Sequence, residues 1–405
     1  MTYEIKRMDE CCISISDGDH LPPPKSDSGV PFITISNIDT TNNTIGFSNT
    51  MFVPEAYYDA LQNIKKATPG DILYSVVGTF GVPVQIKTEK KFVFQRHIAI
   101  LRPNKDVVLP EYLYYVMKSG SFYAQADAFA VGSAQRTIGL SSLRKMKAAI
   151  PCVEEQEKTV TVLAAYDNLI EVNNKRIKVL EQMAENLYKE WFVRFRFPGH
   201  ETTEFENGIP KGWHIRRIDE IGEVVGGGTP STEHPEYWHG DIPWLTPADL
   251  ASFKDVFISN GSTFITAEGM KKSSTKLLPK DTVLLSSRAP IGYVAIAKNS
   301  ICTNQGFKSV ICNTNLVMPF YLFFFFKNNK ELLEGYASGS TFLELSGGRL
   351  KRIKLIIPPL DIQTLFYNAV HSWLKQTDVL SQMNRNLIRQ RDLLLPRLMN
   401  GKLEV

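Results

Sequence analysis

An internal duplication constrains the fold of this 405-residue chain more than any other feature of its sequence. Residues 109–118 match residues 318–327 without a gap, and Pro at the second position of each segment predicts the first turn of a buried helix. An Ile-Pro pair that is followed five residues later by Gln occurs at 150–156 and again at 357–363. Because the offset between the copies drifts only from 212 to 207 residues, one unit of about 200 residues is present twice.

A long amphipathic helix is predicted after the first copy, from Gln156 to Arg194. Apolar residues recur there at alternating steps of three and four with no internal Gly or Pro, which is typical of a helix that packs lengthwise on another helix. At roughly 30 residues the helix would be about 45 Å long. The apolar residues predicted to form its seam are Leu163, Tyr166, Ile170, Ile177, Leu180, Leu187 and Trp191.

The second copy is followed by a similar helix from about residue 361, which Pro396 is expected to end. Its apolar seam residues recur every seven positions and are Trp373, Leu380, Leu387 and Leu394. The other seam column is polar, where the first copy has Ile170, Ile177 and Ala184. The polar residues are Thr377, Asn384 and Arg391, and the sequence leaves open whether they face water, Asn173 or another protein.

These patterns predict a mixed α/β fold with two similar globular domains in a pseudo-twofold arrangement, separated by two long antiparallel helices that form a coiled coil. The predicted boundaries are 1–152 for the first domain, 153–196 for the first long helix, 197–358 for a turn-rich linker with the second domain, and 359–405 for the second helix and tail. Residues 70–74 and 280–284 are predicted to turn into a buried strand in each domain.

Composition indicates an ordinary folded protein that does not cross a membrane. The 46 basic and 42 acidic residues give a net charge of +4, which permits an anionic partner without demanding one. The N-terminus has no apolar signal region, and the longest apolar run, residues 318–326, is too short to span a bilayer, so a cytoplasmic location is predicted. The five cysteines form no CxxC pair, and no structural metal site is expected.

The motifs of common catalytic sites are missing. The glycine run 226–228 lacks the GxGxxG spacing and the Lys of a phosphate loop, and neither HExxH nor GxSxG occurs. Residues 241–244 lack the second Pro of an amino-methyltransferase signature. No catalytic residue is therefore assigned, and a binding function is favoured.

Polar residues that differ between copies, inside stretches that otherwise match, are candidates for recognition. The differing stretches are 76–80 against 286–290, 95–97 against 305–307, and 134–137 against 341–344. Arg, Gln and Asn side chains can form paired hydrogen bonds with guanine or adenine edges in the major groove, although these residues could equally be solvated loop residues. The base-reading candidates are Arg96, His97, Gln135, Arg136, Arg288, Asn304, Gln305 and Thr341.

Basic residues recur at matching places in the two copies and suit DNA phosphates, which position a protein without specifying a sequence. A charged run is usually just a solvated face. These residues are considered as phosphate contacts because they recur in both copies. The phosphate candidates are Lys65, Lys66, Arg144, Lys145, Lys147, Lys271, Lys272, Lys308, Lys351, Arg352 and Lys354.

The chain resembles the specificity subunit of type I restriction-modification systems over its whole length. The resemblance is strongest in the second copy, in ENGIPKGW at 206–213, GGTPS at 227–231, SRAPIG at 287–292, TNQGF at 303–307 and LLLPRL at 393–398. The first copy departs from it, because VGTFG at 77–81 replaces the RAPIG run and Arg96-His97 replaces Gly-Phe.

The resemblance implies two target recognition domains that each read one half of a split double-stranded DNA site. It also implies that the long helices dock two methyltransferase subunits, which two restriction and motor subunits can join. SAM, ATP and Mg would then be bound by those partners, and this chain would need no cofactor. A 45 Å spacer corresponds to roughly 13 bp, so the domains should meet the duplex about one turn apart.

Other functions remain open at this point. The chain could be an assembly scaffold that does not read DNA, and a steep salt dependence with preference for one sequence would separate a DNA reader from this alternative. It could also be a DNA-binding protein without a role in restriction-modification. A methyltransferase or nuclease within this chain is a further alternative, which the missing motifs oppose.

Overall fold

Each half of the chain builds its own sheets and its own core. The computed structural model describes residues 3–18, 20, 22–40, 42–133, 135–252, 255–288, 290–339 and 343–403. The chain divides into unit 1, formed by Met1–Ile170 with Arg385–Val405, and unit 2, formed by Glu171–Asn384. The division passes through both long helices, so each unit contains a segment of each helix.

Unit 1 contains eleven strands among its described residues, which form sheets of order β2-β10-β7-β8, β6-β3-β9, β1-β11 and β4-β5. The strands are β1 (Glu4–Arg7), β2 (Cys12–Asp17), β3 (Val30–Ile33), β4 (Ile38–Asp39), β5 (Thr44–Ile45), β6 (Met51–Val53), β7 (Ile72–Ser75), β8 (Pro83–Gln85), β9 (Val93–Phe94), β10 (Ile98–Pro103) and β11 (Lys147–Ile150). The helices are α1 (Met8–Cys11), α2 (Glu55–Ala60), α3 (Pro110–Lys118), α4 (Gly120–Phe129), α5 (Leu140–Lys145) and the long α6 (Val153–Tyr188).

Unit 2 forms sheets of order β15-β22-β19-β20-β17, β18-β16-β21, β14-β23 and β12-β13. The strands are β12 (Phe205–Glu206), β13 (Ile209–Pro210), β14 (His214–Arg217), β15 (Gly222–Gly226), β16 (Trp238–Leu245), β17 (Phe257–Ile258), β18 (Thr263–Ile265), β19 (Val283–Leu285), β20 (Val294–Ala297), β21 (Cys302–Thr303), β22 (Lys308–Cys312) and β23 (Lys354–Ile357). The helices are α7 (Ile218–Ile221), α8 (Pro247–Ser252), α9 (Ala267–Lys271), α10 (Pro319–Asn328), α11 (Lys330–Gly335), α12 (Gly347–Arg352) and the long α13 (Leu360–Met399).

The two units share one topology. The order β2-β10-β7-β8 reappears as β15-β22-β19-β20, to which unit 2 adds β17. The order β6-β3-β9 reappears as β18-β16-β21, each with one antiparallel and one parallel pair. The predictions of a mixed α/β fold, of two similar domains and of long helices are confirmed.

The repeated segments form the predicted elements. Helices α3 and α10 begin at Pro110 and Pro319 and bury most of their apolar residues. Strands β7 and β19, which follow the two matching turns, are buried along their whole length. Both helices and both strands therefore contribute to the cores, as the sequence predicts.

A buried glutamine ties each long helix to the domain in front of it. The Gln156 side chain accepts from the Leu109 amide at 2.8 Å and donates to the carbonyls of Val107 and Pro151 at 3.1 and 2.9 Å. Gln363 makes the same three bonds in unit 2, with the Met318 amide and the carbonyls of Leu316 and Pro358. The Ile-Pro…Gln repeat is therefore a structural joint.

The long helices differ from the prediction at their ends. Helix α6 has 36 residues and continues into a π-helical turn at Lys189–Val193. Helix α13 runs for 40 residues to Met399, so the expectation that Pro396 ends it is wrong. Pro396 lacks an amide hydrogen but lies in the last turn, where its carbonyl still accepts from the Asn400 amide at 3.2 Å.

In unit 2 the segments of α6 and α13 run antiparallel. Asn173 donates through its side-chain amide to Asn384 Oδ1 at 2.9 Å, and Asn384 in turn donates to Asn174. Further along α6 and further back along α13, the ring centroids of Tyr188 and Phe366 lie 6.2 Å apart. The helix pair of unit 2 thus combines an aromatic contact with a buried amide pair.

In unit 1 the corresponding segments carry a buried charge pair. Arg391 donates to the Asp167 carboxylate at 2.6 Å, and the Tyr115 hydroxyl donates to the same carboxylate at 2.8 Å. Burial lowers the pKa of Arg391, but its bonds to Asp167 and Asp392 outweigh this effect, so the pKa stands above its ordinary value. Arg391 is therefore charged in the folded chain.

The polar column of α13 does not face water. Thr377, Asn384 and Arg391 are only 3%, 6% and 8% exposed. Of the predicted seam residues, Leu163, Ile170 and Leu380 are buried. The half-buried members are Tyr166, Ile177, Leu180, Leu187, Trp191, Trp373, Leu387 and Leu394.

Candidate nucleic-acid interface

Three segments of unit 2 that differ from their matching segments in unit 1 lie side by side. The Ser287 amide donates to the Gly306 carbonyl at 2.7 Å, and the Leu345 amide donates to the Ser287 carbonyl at 2.8 Å. Ser338 and Glu344 exchange two backbone hydrogen bonds of 3.1 and 2.9 Å. Together the segments form what we call the loop surface of unit 2, and their described parts are 286–288, 304–308, 338–339 and 343–345.

Unit 1 builds a loop surface with the same backbone bonds. The Val76 amide donates to the His97 carbonyl at 3.0 Å, and the Ile138 amide donates to the Val76 carbonyl at 2.9 Å. Val131 and Thr137 exchange bonds of 3.0 and 2.8 Å. The described parts of the loop surface of unit 1 are 76–78, 95–97, 131–133 and 135–138.

These bonds identify which residues of the two loop surfaces are counterparts. The Gly81 amide donates to the Ser75 carbonyl as the Gly292 amide donates to the Ser286 carbonyl, which makes Val77 the counterpart of Arg288. The pairing of residues 76–80 with 286–290 is therefore wrong by one residue. The comparison of VGTFG at 77–81 with RAPIG at 288–292 agrees with the backbone bonds, because Gly81 and Gly292 end both runs.

The turn before β10 and β22 shows the same displacement. The Ile98 amide donates to the Gln95 carbonyl as the Phe307 amide donates to the Asn304 carbonyl. Arg96 and Gln305 therefore occupy the same position of the same turn, although the sequence paired residue 96 with 306. This places two base-reading candidates on matching sites.

The candidates on this turn differ in accessibility. Arg96 and Gln305 are exposed, and His97 is half-buried. Gln305 Oε1 accepts from the Thr229 hydroxyl, and this bond orients the Gln305 side chain. Asn304 Oδ1 accepts from the Gly306 amide at 2.9 Å, so this side chain shapes the turn.

The remaining candidates of unit 1 lie on its third segment. Gln135 is exposed. The Arg136 guanidinium pairs with the Asp127 carboxylate and lies 5.3 Å from the centroid of the Phe80 ring. Arg136 therefore already has protein partners on both its edge and its face. Thr341, the matching candidate of unit 2, lies outside the described residues.

Unit 2 has an ion cluster on its loop surface. The Glu344 carboxylate lies 3.1 Å from Arg288 Nε and 3.5 Å from Lys308 Nζ. Lys308 also donates to the carbonyls of Gln305 and Phe307 at 3.3 and 3.4 Å, and its side chain is only 16% exposed. Lys308 was predicted to contact phosphate, and the structure places it inside the loop surface.

Three other phosphate candidates are held by protein contacts. Lys65 Nζ donates to the Gly18 carbonyl at 3.2 Å, and Arg144 donates to the Ile15 carbonyl at 2.6 Å. Lys66 Nζ donates to the Asp59 carbonyl at 2.9 Å. The candidates with exposed side chains are Lys145, Lys147, Lys271, Lys272, Lys351, Arg352 and Lys354. Lys351 and Arg352 lie in α12 and Lys354 begins β23. Their counterparts Arg144 and Lys145 lie in α5, and Lys147 begins β11.

The next features concern metal binding, thiol reactivity and membrane insertion in the described part of the chain. No group of three His, Cys, Asp or Glu residues among those described could hold a metal ion. The five cysteines are free thiols, and burial raises the pKa of Cys11 and Cys302 to about 11. Those two thiols are therefore protonated near neutral pH and poor nucleophiles. None of the helices described is long and apolar enough to cross a membrane.

Known proteins resemble this chain in sequence and in fold. The MjaIX specificity subunit of a type I restriction enzyme from Methanocaldococcus jannaschii is 42% identical over 212 residues, covering 49% of this chain and 48% of the relative. The HindI specificity subunit from Haemophilus influenzae is 26% identical over 436 residues, covering 92% of this chain and 94% of the relative. The chain thus matches about half the length of the first relative and nearly all of the second.

A solved structure shows the same fold. The crystal structure of a type I restriction-modification system S subunit from M. genitalium aligns with a TM-score of 0.59 at 16% identity, covering 98% of this chain and 96% of that one. The family model described as Type I restriction modification DNA specificity domain matches residues 4–182 and again residues 210–388. These two matches span most of the chain, and the protein belongs to the type I restriction-modification DNA specificity family.

Proposed function

We propose that this protein is the non-catalytic DNA-reading subunit of a type I restriction-modification complex, and that each unit recognises one half of a split double-stranded DNA site. The observation that carries the proposal is the loop surface, which occurs twice with the same backbone bonds and different side chains. A protein that reads one sequence twice would have kept the same side chains. The divergence therefore favours two different half-sites.

The exposed turn residues are the foremost base-reading candidates. Arg96 and Gln305 occupy matching positions, and their side chains suit guanine and adenine respectively. Arg288 and Gln135 extend the two surfaces. The exposed lysines and arginines near α5 and α12 would contact phosphates and fix the register of the protein on the duplex.

The long helices are proposed to dock the other subunits. Both carry exposed apolar residues outside their seam columns. On α6 these are Leu169, Val172, Val179 and Met183, and on α13 they are Leu365, Val379, Met383 and Leu393. Two methyltransferase subunits would cover them, and two restriction and motor subunits would join. SAM, ATP and Mg would be bound by those partners in the cytoplasm, and the methyltransferase would flip and modify adenine.

The methylome of cells that carry this chain with its methyltransferase partner tests the proposal. We expect one split motif with two defined halves. Exchanging residues 213–357 for the same region of another family member should change one half and leave the other as it was. A change in both halves, or in neither, would contradict independent reading by two units.

A further inference from the structure

Three charged residues of the loop surface of unit 2 stand where unit 1 has none. Arg288, Lys308 and Glu344 form the ion cluster described above. The counterpart of Arg288 is Val77, and Thr137 takes the place of Glu344, because it exchanges the same bonds with Val131 as Glu344 does with Ser338. Ala99 follows Ile98 as Lys308 follows Phe307. All three charges are therefore present together in one unit and absent together from the other.

Backbone bridges hold the segments of Arg288 and Glu344 next to each other. Arg288 and Glu344 are bridge partners on adjacent segments, and Glu344 also pairs with Ser338. The side chains of Arg288, Glu344 and Lys308 are 48%, 35% and 16% exposed, so the cluster is partly shielded from water. Each carboxylate oxygen of Glu344 has its own cation, since Oε2 pairs with Arg288 and Oε1 with Lys308.

A carboxylate is an unfavourable group on a surface that only contacts phosphates, because it repels the DNA backbone and weakens the salt-dependent part of binding. It is useful on a surface that reads bases. A carboxylate that holds a guanidinium through Nε leaves the two terminal amino groups to form the paired bonds that recognise guanine O6 and N7. A held arginine also loses less side-chain freedom when it binds.

We propose that Glu344 is a specificity-determining positioning residue, which holds Arg288 against a base edge in the half-site read by unit 2. Lys308 fixes the second oxygen of the carboxylate and so sets the direction from which Arg288 approaches. The inference rests on the proposed function, since it concerns how one of the two reading units selects its half-site.

The test uses the full chain with its methyltransferase partner and compares four variants with the parent. Glu344→Gln keeps the size of the side chain and removes its charge. Arg288→Ala removes the reading group, the double variant removes both, and Glu223→Gln neutralises an exposed glutamate of unit 2 that lies 4.0 Å from Lys276. Two quantities are measured: modification at the motif relative to sites with one mismatched base, and binding to scrambled DNA as salt is varied.

Glu344→Gln should lower discrimination about tenfold in one half of the motif, as expected for the loss of one good base contact. The same variant should bind scrambled DNA more tightly and with a steeper salt dependence, which a mere loss of folding would not produce. The double variant should discriminate as Arg288→Ala does, because Glu344 acts through Arg288. Glu223→Gln should retain the parent motif.

Unchanged discrimination in Glu344→Gln would overturn the inference while leaving the split motif in place. Additive losses in the double variant would also overturn it, since Glu344 would then act on DNA directly. Lower discrimination in Glu223→Gln would also overturn the inference. It would show that the loss of any negative charge on unit 2 weakens sequence discrimination. Absence of a split motif in the parent would instead refute the proposed function, so the two failures are distinguishable.

Discussion

The loop surfaces of units 1 and 2 have the same backbone and different chemistry. In unit 2, Glu344 joins Arg288 and Lys308 into an ion cluster, whereas in unit 1 Arg136 pairs with Asp127 and covers Phe80. The hydrogen bonds that bring the segments together are retained in both. The difference teaches that the fold of each surface depends on main-chain bonds, which leaves the side chains of the two surfaces free to differ.

Polar contacts between the long helices have apolar counterparts at the positions that the repeat assigns to them. Unit 1 buries the Asp167–Arg391 pair, and the matching positions in unit 2 are Leu374 and Ala184, which are both buried and apolar. Unit 2 in turn buries Asn173 against Asn384, where the repeat places Leu380 and Ile177. Each polar contact thus has an apolar counterpart elsewhere in the chain. Replacing a polar pair by the residues of its counterpart therefore gives a variant that tests the contribution of that pair to stability.

The largest effect is expected from removing one member of the charge pair. Arg391→Ala should lower the stability of unit 1 by roughly 3 kcal/mol, since breaking a buried pair leaves an uncompensated carboxylate. All five tryptophans lie in unit 2, so hydrogen exchange of unit 1 peptides is the appropriate measurement. The double variant Asp167→Leu with Arg391→Ala copies the apolar arrangement and should regain most of the loss. A double variant as unstable as Arg391→Ala would contradict this comparison.

The two joint glutamines should behave alike. Gln156→Met and Gln363→Met each leave one amide and two carbonyls without their partner, which should cost about 2 kcal/mol in the affected unit. Hydrogen exchange in unit 1 and tryptophan fluorescence during urea unfolding of unit 2 measure the two losses. Gln390→Met, at an exposed position of α13, is the control and should change stability by less than about 0.5 kcal/mol. Unequal losses would show that the joints are not equivalent.

A smaller effect is expected at the amide pair. Asn384→Ile should destabilise unit 2 by about 1 kcal/mol, because the buried Asn173 amide loses its acceptor. Adding Asn173→Leu reproduces the pair Leu380 and Ile177 and should restore or exceed the parent stability. Tryptophan fluorescence during urea unfolding measures the stability of both variants. If the double variant were less stable than Asn384→Ile, the apolar pair could not replace the amide pair at these positions.

The smallest effect is expected at an exposed lysine. Lys351→Ala should weaken binding to every DNA sequence by a similar factor and lower the slope of log affinity against log salt by about 0.9, the value for one phosphate contact. Affinity for the motif and for its scramble is measured across a range of salt concentrations. A loss confined to the motif would instead identify Lys351 as a base contact.

Sequence reasoning found the fold because the repeat and the helical periodicity are properties of the chain itself. It marked Gln156 and Gln363 only as points of agreement, since the three bonds of each involve residues up to 49 positions away. Sequence reasoning could not decide whether Arg391 is buried or exposed. A charged residue in the seam could face water, and only the structure shows its partner Asp167.

Less of the candidate site than of the fold could be predicted from the sequence. The structure brings the three divergent stretches side by side, but the side chains around Arg96 could not fix its alignment, and so Arg96 was matched with residue 306 in place of Gln305. Glu344 was missed as a member of the site because acidic residues were not considered as candidates for a DNA surface. Its ion pair with Arg288 becomes visible only when the structure brings together these two residues, which are 56 positions apart in the sequence.

The claim that two units read two halves independently is tested most directly at the matching turn residues. Methylomes of Arg96→Gln and Gln305→Arg, each in the full chain with its methyltransferase partner, should each show a split motif altered in one half only, and the altered half should differ between the two variants. Alteration of the same half by both variants, or of both halves by either one, would contradict the account.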